Sequence, residues 1–374
     1  MKSIILVYKS NIQYPISNIQ YPISNTNMST NKSIQLGLCC INTILRAQKP
    51  TVFASRSIIL KTFETKGIDH LKTKIIQNLK DILVMMDWNN AHGIRVFRLS
   101  SEIFPHMSNP KAPSYTFDFA IDLLKQIGAK AKALDQRLTF HPGQYDVIGT
   151  PRQAVFLNTC RDLKYHADIL DLMDLGNDSV IVIHGGGTYG NKAATKVRWC
   201  EQFYQLADNV RARVVLENCE KNFSIIDCLE VSEQLNIPVV FDTHHYNCYK
   251  ILHPDEKFYE PEQYMEAVLA TWSRRAIKPK FHISEQGTGK CGHHSDYIQE
   301  IPKYLLEIPE KYGVAIDIMV EAKMKEQAIF KLYEKYPDLN CLKREMNPDN
   351  VLKLKNAPGM AWVKKHCKDC KCCK

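Results

Sequence analysis

The sequence lacks any long uncharged apolar segment. No run reaches the roughly 18 apolar residues that a membrane-spanning helix needs. The amino-terminal stretch MKSIILVYKS is interrupted by Lys9 too early to be a secretory signal. We therefore expect a soluble, intracellular protein without a membrane span. Hydrophobic residues make up 45% of the 374 residues, which is enough for a sizeable core.

The sequence also lacks the two ligand pairs that a zinc finger requires. Most of the 13 cysteines are scattered singly along a chain without a secretion signal, which favours reduced thiols. The exception is the Lys-rich ending HCKDCKCCK, which crowds together His366, Cys367, Cys370, Cys372 and Cys373. These side chains could hold zinc, but no second ligand pair stands at finger spacing. We interpret residues 336–374 as a basic tail.

Acidic residues are absent before Glu64. The first 33 residues contain a tandem copy of NIQYPIS, beginning at Asn11 and again at Asn18. A lack of acidic residues is typical of transit peptides, but basic residues are sparse here and no amphipathic helix is visible. We interpret residues 1–33 as a low-complexity extension. The formal charge of +9 favours polyanionic partners without identifying one.

From residue 34 onwards, short apolar runs alternate with stretches of helical spacing. The strand-like runs are IQLGLC from Ile34, IRVFRL from Ile94, RLTF from Arg137, VIVI from Val180, RVVLE from Arg213, PVVFD from Pro238, PKFHI from Pro279 and AIDIMVE from Ala315. Helical stretches include Ile68 to Asn90, Leu157 to Met173 and Pro261 to Arg275. Eight such alternations predict a single α/β domain, a (β/α)8 TIM barrel over residues 34–335.

Histidines and carboxylates stand where the strand runs end, on the face where barrel enzymes build their sites. They are His141, His184, Glu217, Asp242, His244, His245, His282, His293, His294 and Glu321. A single histidine at a strand end is ordinarily a hydrogen-bonded structural group. Charged side chains arriving at one mouth from six consecutive units are costly unless cations compensate them. The mixed nitrogen and oxygen ligands predict two or three divalent ions, and such clusters suit phosphodiester hydrolysis.

The stretch VIVIHGGGTYGNK, residues 180 to 192, is not a phosphate-binding loop of the Walker type. That motif requires G-x-x-x-x-G-K-[ST], whereas Lys192 is followed by Ala193 and the glycines directly follow His184. Gly185 to Gly187 either let ions and a substrate backbone approach closely or serve only the turn. Lys280 lies two residues before His282 and so on the same side of its strand. It is either a lysine kept neutral or modified beside cations, or a solvent-facing strand lysine.

These motifs resemble those of the ultraviolet-damage endonucleases, which are relatives of endonuclease IV. The resemblance covers roughly residues 34 to 330. It depends on LGLCCIN from Leu36, RLSSEIFPH from Arg98, FHPGQY from Phe140, IHGGGTYGNK from Ile183, LEN from Leu216, FDTHH from Phe241, KFHISEQ from Lys280, HHSDYI from His293 and MVEAKMKEQA from Met319. A short motif such as LEN is weak alone, but nine motifs in the right order are specific.

The resemblance implies an enzyme that cuts damaged double-stranded DNA immediately 5′ to a cyclobutane pyrimidine dimer or a 6-4 photoproduct, leaving a 3′-hydroxyl and a 5′-phosphate. It implies two or three divalent ions, most simply Mn²⁺, with Zn²⁺ or Mg²⁺ as alternatives, and we expect a monomer. The implied metal ligands are His141, His184, Glu217, Asp242, His245, His282, His294 and Glu321. The implied catalytic residues are Glu217, Glu321, Lys280, His141 and His184, with Lys280 open to carboxylation.

The implied lesion contacts begin with Gln144 and Tyr145, which match a pair that wedges into the duplex beside the flipped lesion. Asn42 also matches the family, while Arg98 and Lys192 are expected to hold the DNA backbone. The chain departs from the family at Leu38, where a tyrosine is common, and at Glu220, where an aspartate is usual. The first departure puts one stacking contact near the lesion in question.

Three other functions are compatible with parts of this pattern. An abasic-site endonuclease of the endonuclease IV type would share the metal chemistry, but FHPGQY and HISEQ favour the ultraviolet group. A sugar isomerase on the same barrel would bind metal mainly through carboxylates, which the histidine excess argues against. A non-catalytic DNA-binding protein would not need so many potential metal ligands at the strand ends.

Overall fold

The computed structural model describes residues 34–342. The predicted extension over residues 1–33 lies outside this range, as does the cysteine-rich ending from His366. The predicted boundary of the barrel at residue 335 stays a prediction, and the described chain continues to Leu342.

Eight parallel strands form a closed barrel. They are β1 (Ile34–Cys39), β2 (Val96–Arg98), β3 (Arg137–Thr139), β4 (Ile181–His184), β5 (Val214–Glu217), β6 (Val239–Val240), β7 (Lys280–Ile283) and β8 (Ile316–Val320). Ladders join them in the orders β3-β2-β1-β8-β7 and β4-β5-β6. Two backbone bridges join these two sheets, from Phe140 to Ile181 and from Asp242 to His282. The predicted (β/α)8 barrel is therefore confirmed.

Helices surround the barrel and return the chain from the end of one strand to the start of the next. They are α1 (Thr43–Ala47), α2 (Leu60–Ala91), α3 (Ile121–Ala133), α4 (Gln153–Leu172), α5 (Lys192–Phe203), α6 (Asp208–Arg213), α7 (Ile225–Leu235), α8 (Thr243–Leu252), α9 (Glu262–Ser273), α10 (Lys303–Leu306), α11 (Ile308–Tyr312) and α12 (Glu326–Lys335). Short 3₁₀ turns lie at Asp118–Ala120 and Pro337–Leu339. Within residues 34–342, no helix is long and apolar enough to cross a membrane.

The strands are short because each needs only to cross a core that is covered on both sides. All residues of β8 are buried, as are all residues of β1, β5 and β7. Apolar, often β-branched runs of this kind suit parallel strands that face helices outside and side chains inside. The core therefore holds the strand ends rigidly, and the loops at those ends carry the candidate site.

The first and last units of the barrel are fastened together. Strand β1 pairs with β8 in parallel, from Ile34 opposite Ile316 to Leu38 opposite Val320. The carboxylate of Glu326, at the start of α12, accepts hydrogen bonds from the backbone N–H groups of Thr43 (2.8 Å) and Ile44 (3.0 Å) in α1. Glu326 thereby satisfies helix-terminal donors that would otherwise lack partners.

Candidate metal centre

Seven of the eight predicted ligands converge at the mouth formed by the carboxyl ends of the strands. They form three overlapping groups, within each of which the potential ligand atoms lie within 4.8 Å of one another. The groups are His141, His184 and Glu217; His141, His282 and Glu321; and Glu217, Asp242 and His245. The eighth predicted ligand, His294, is outside these groups. Its ring lies 6.0 Å from that of His244, at the edge of the same mouth.

Glu217 is the common point of the cluster. Its side chain is fully buried at the end of β5, and its carboxylate lies 2.9 Å from His141 Nε2 and 2.9 Å from His282 Nδ1. His245 Nδ1 is 3.4 Å away and His184 Nε2 is 3.7 Å away. One carboxylate thus faces four imidazoles that come from four different strand ends.

The protonation states of His184, His282 and Glu217 favour cation binding. Burial lowers the pKa of His184 and of His282 to about 4, so both rings are neutral near pH 7. Burial opposes ionisation of Glu217, but the surrounding imidazoles outweigh it and hold the pKa of this carboxyl well below its usual value. Neutral imidazoles and an ionised carboxylate are the forms that bind divalent metal ions.

Three buried polar atoms in the cluster, one of them Oε2 of Glu217, lack the hydrogen-bond partners that buried polar atoms normally have. Among the described residues, neither Nε2 of His282 nor Oδ2 of Asp242 finds a hydrogen-bond partner, although both side chains are fully buried. Burial also raises the pKa of Asp242 to about 7, because ionising this carboxyl without a compensating cation is unfavourable. The residues present therefore fit divalent metal ions.

Neighbouring backbone and side chains fix the orientation of Asp242. This residue caps α8, where its Oδ1 accepts hydrogen bonds from the N–H groups of His244 (2.8 Å) and His245 (2.7 Å). Asn218 exchanges two further bonds with it: Asp242 N–H donates to Asn218 Oδ1 (2.8 Å), and Asn218 Nδ2 donates to the Asp242 carbonyl (3.0 Å). Sequence reasoning missed Asn218, although it stands in the LEN motif directly after Glu217.

Lys280 lies inside the barrel rather than at its solvent-facing rim. Its side chain is 0% exposed, and its ammonium group donates to Thr139 Oγ1 at 3.2 Å. Burial, reinforced by the charges of Arg98 and Arg137, lowers its pKa to about 8. The solvent-facing alternative is thus excluded, and the amine lies on the same side of β7 as His282 but one layer deeper.

The predicted DNA-contacting residues fall into two sets. Gln144 and Tyr145 are exposed in the loop after His141, and Tyr145 is 83% exposed. Asn42 is 0% exposed and caps α1, accepting a hydrogen bond from Leu45 N–H at 2.8 Å. Arg98 forms an ion pair with Glu321, so it acts within the cluster. Lys192 lies 3.0 Å from Asp227 and also contacts the Tyr249 hydroxyl.

The glycines after His184 have a structural reason. A Cβ at Gly185 would lie 2.2 Å from the Phe223 ring, and one at Gly186 would lie 2.3 Å from Val147 Cγ1. Gly186 also has a φ of +84°, a backbone conformation that residues with a side chain rarely adopt. The first two glycines are therefore required by packing and turn geometry. At Gly187 a Cβ would make only ordinary contacts with the Tyr189 ring, at 3.6 Å.

Fold and site together define a TIM-barrel enzyme whose candidate metal centre lies at the carboxyl-terminal mouth. The model of the UV-endonuclease UvdE family matches residues 34–351 of this chain. The chain belongs to that family, and it is thereby a phosphodiester-cleaving hydrolase.

Individual relatives agree with the family match. The chain is 37% identical over 330 residues to the UV-damage endonuclease of Schizosaccharomyces pombe, covering 84% of this chain and 53% of that protein. It is 34% identical over 279 residues to a UV DNA damage endonuclease of Bacillus cereus, covering 74% of this chain and 86% of that protein. The crystal structure of SacUVDE superposes with a TM-score of 0.70 at 30% identity, covering 82% of this chain and 99% of that one.

Proposed function

We propose that this chain is a metal-dependent DNA repair endonuclease that nicks duplex DNA immediately 5′ to ultraviolet photoproducts, leaving a 3′-hydroxyl and a 5′-phosphate. The observation that carries the proposal is the position of the seven-residue cluster at the same mouth as the exposed pair Gln144 and Tyr145. The names of the relatives, all endonucleases of UV-damaged DNA, support the same substrate.

The proposed metal ligands are those of the three groups described above, with His294 at the edge as an eighth. Two or three divalent ions held there, most simply Mn²⁺, with Zn²⁺ or Mg²⁺ as alternatives, would activate a water molecule and neutralise charge on the scissile phosphate and the leaving 3′-oxygen. Glu217 and His141 belong to two groups each, so both would help to hold more than one ion. Glu321 is held in place by its ion pair with Arg98.

Lys280, one layer deeper in the barrel than His282, is proposed to be carboxylated. Because its pKa is only about 8, a substantial neutral fraction exists near that pH, and a neutral amine is the form that reacts with carbon dioxide to give a carbamate. The reaction forms an N–C bond and releases one proton. Carboxylation would turn a buried cation into an anion and remove its repulsion from the metal ions.

Arg98 and Asn42 are proposed to position the site rather than to contact DNA directly, since both side chains are engaged inside the mouth. The DNA backbone is instead expected to meet the segment between β1 and α2, which follows the carboxyl end of β1. This segment carries Arg46 and Lys49 and has no acidic residue. Binding through such contacts is independent of sequence and sensitive to salt.

A nicking assay on three end-labelled duplexes tests the proposal. One duplex contains a thymine dimer, one an abasic site, and one is intact, and each is incubated with Mn²⁺ or with EDTA. We expect a single cut directly 5′ to the dimer with Mn²⁺ and none with EDTA. Cutting confined to the abasic duplex would instead indicate an activity of the endonuclease IV type. If none of the three duplexes is cut, the endonuclease proposal is rejected.

Replacing Tyr145 by alanine is expected to lower the preference for the dimer-containing duplex over intact duplex by about tenfold or more, because one base–aromatic stack is lost. General DNA affinity should change less, since phosphate contacts supply most of it. Competitive binding with both duplexes at fixed salt measures this ratio. An unchanged ratio would remove Tyr145 from lesion recognition.

A further inference from the structure

A second exposed tyrosine stands at the same mouth as Tyr145. Tyr189 is 41% exposed and lies in the loop between β4 and α5, five residues after the candidate ligand His184. Large aromatic rings are usually at least partly covered, and an exposed ring beside a reactive site is a candidate for ligand contact. Neither the metal cluster nor the proposed wedge uses this residue.

The backbone presents the Tyr189 ring from a tight turn. Asn191 N–H donates to the Thr188 carbonyl at 2.9 Å, and both residues between them have left-handed φ values, +50° at Tyr189 and +78° at Gly190. This is the φ pattern of a type I′ turn, whose first central position favours Asn, Asp or Gly. A tyrosine there is strained, and strain of this kind concentrates at functional sites.

Hydrogen bonds from α5 and packing against Phe223 hold this turn in place. Thr195 Oγ1, in α5, donates to the Thr188 carbonyl at 2.8 Å. Asn191 caps α5, accepting a hydrogen bond from Ala194 N–H at 2.9 Å. Gly185 packs directly against the Phe223 ring. The ring of Tyr189 is therefore carried by a fixed support rather than by a free loop.

The same loop is fastened to the loop that carries Tyr145. Gly186 packs against Val147, and Arg198 Nε donates to the Gly149 carbonyl at 3.1 Å. The Arg198 guanidinium also lies 5.8 Å from the centre of the Tyr189 ring. Arg198 thus links both loops and places a positive charge beside the exposed ring.

We propose that Tyr189 is a second stacking residue, which takes an unpaired base at the damaged site while Tyr145 wedges into the duplex. This inference rests on the proposed function. A planar ring accepts any base because every base has a π-face, and a lesion already weakens pairing and stacking around itself. The adjacent Arg198 charge suits a nucleotide, which brings a phosphate with its base.

Three variants distinguish an effect of the Tyr189 ring on DNA binding from an effect on folding. Tyr189→Asn removes the ring but suits the left-handed backbone, so its melting temperature should equal or exceed that of the wild type. Tyr189→Phe keeps the ring. Tyr204→Asn is the matched control, because Tyr204 is 62% exposed at the far end of α5, away from the mouth. Affinities are measured in EDTA for the dimer-containing and the intact duplex.

We expect Tyr189→Asn to weaken binding of the dimer-containing duplex by about 10- to 100-fold, the range for one lost base–aromatic stack. Binding of the intact duplex should change by less than about twofold, and Tyr189→Phe and Tyr204→Asn should bind both duplexes like the wild type. The proposal is overturned if Tyr189→Asn keeps wild-type affinity for the dimer, or if Tyr189→Phe loses as much as Tyr189→Asn.

A fourth duplex, with the bases opposite the dimer removed, identifies the stacked base. If Tyr189 stacks on an opposite base, Tyr189→Asn should have no further effect on this duplex; if it stacks on the dimer, the loss should persist. Wild-type nicking with Mn²⁺ is measured in parallel. Wild-type cutting 5′ to the dimer combined with full affinity of Tyr189→Asn would reject this inference alone, whereas no wild-type cutting would reject the proposed function and this inference with it.

Discussion

Glu217→Gln is expected to lower the nicking rate by about a thousandfold or more, equivalent to roughly 4 kcal/mol of lost transition-state stabilisation. The substitution keeps the shape of the side chain but removes the charge that faces four imidazoles. Because Glu217 belongs to two of the three ligand groups, its loss should weaken more than one metal position at once. Metal content after dialysis against Mn²⁺ should fall together with the rate.

Glu233→Gln is the matched control, since Glu233 is an exposed residue of α7 that pairs with Arg274 on the surface, far from the cluster. It should nick at the wild-type rate. Circular dichroism and melting in EDTA should show that both variants are folded. A Glu217→Gln protein that cuts normally would place the reaction elsewhere in the barrel.

Lys280→Met is expected to lower nicking by about a hundredfold while making the metal-free protein more stable near pH 7. The substitution removes the amine that is proposed to set the charge next to the metal ligands. Mutating groups that support metal ligands commonly lowers metal affinity or activity about 10- to 100-fold. Stability should rise because a fully buried cation is replaced by an apolar side chain of similar length. Nicking and urea unfolding in EDTA measure the two effects.

The pH dependence of this stability difference has a defined sign. Burial lowers the pKa of Lys280 from 10.5 to about 8 in the folded protein. Between these values the unfolded chain binds a proton that the folded chain has released, so wild-type stability rises with pH across that window, by on the order of 3 kcal/mol in total. The advantage of Lys280→Met should therefore be largest below pH 8 and shrink as the pH approaches 10.5.

Lys125→Met, on the exposed face of α3, serves as the control and should alter neither nicking nor this pH dependence. If Lys280→Met is less stable than the wild type throughout the window, the buried amine stabilises the fold through its contact with Thr139, and the assignment of a desolvated cation is wrong.

The sequence predicted the barrel and most of the candidate centre because the signals are periodic and local. The last six of the eight apolar runs end at or next to a histidine or carboxylate, and in a parallel barrel all carboxyl ends of the strands point to the same mouth. His141, Glu217 and Glu321 were therefore predicted to meet, and the structure brings them together. His294 follows β7 at some distance along a loop, where no strand register fixes its position, and it lies outside the three groups.

The partners of Arg98, Lys192 and Asn42 could not be predicted in the same way. Each side chain finds its partner far along the chain or through local capping: Arg98 pairs with Glu321 and Lys192 with Asp227. Strand alternation predicts that Lys280 shares a side with His282, but not that it is entirely enclosed. Such pairings depend on side-chain directions in the closed barrel, which a single sequence does not specify.

Helix boundaries show the same limit on a smaller scale. A short helix that the sequence did not predict begins at Leu60, and non-helical backbone at Gly67 (φ +75°) separates it from the helix predicted from Ile68. The predicted stretches Leu157 to Met173 and Pro261 to Arg275 correspond closely to α4 and α9. Periodicity locates the buried face of a helix, whereas its ends depend on individual capping contacts.

The pairing of β1 with β8 affects how the barrel assembles during synthesis. A ribosome delivers β1 before the other strands of the barrel, but its neighbour β8 and the helix that carries Glu326 emerge only after almost all of the described chain has been made. Contacts between such distant segments close slowly, because the intervening chain must be ordered first. Glu321, at the end of β8, is also among the last candidate ligands to arrive. Nascent chains are therefore expected to expose an open sheet edge without nuclease activity, and cutting begins only once the barrel is complete.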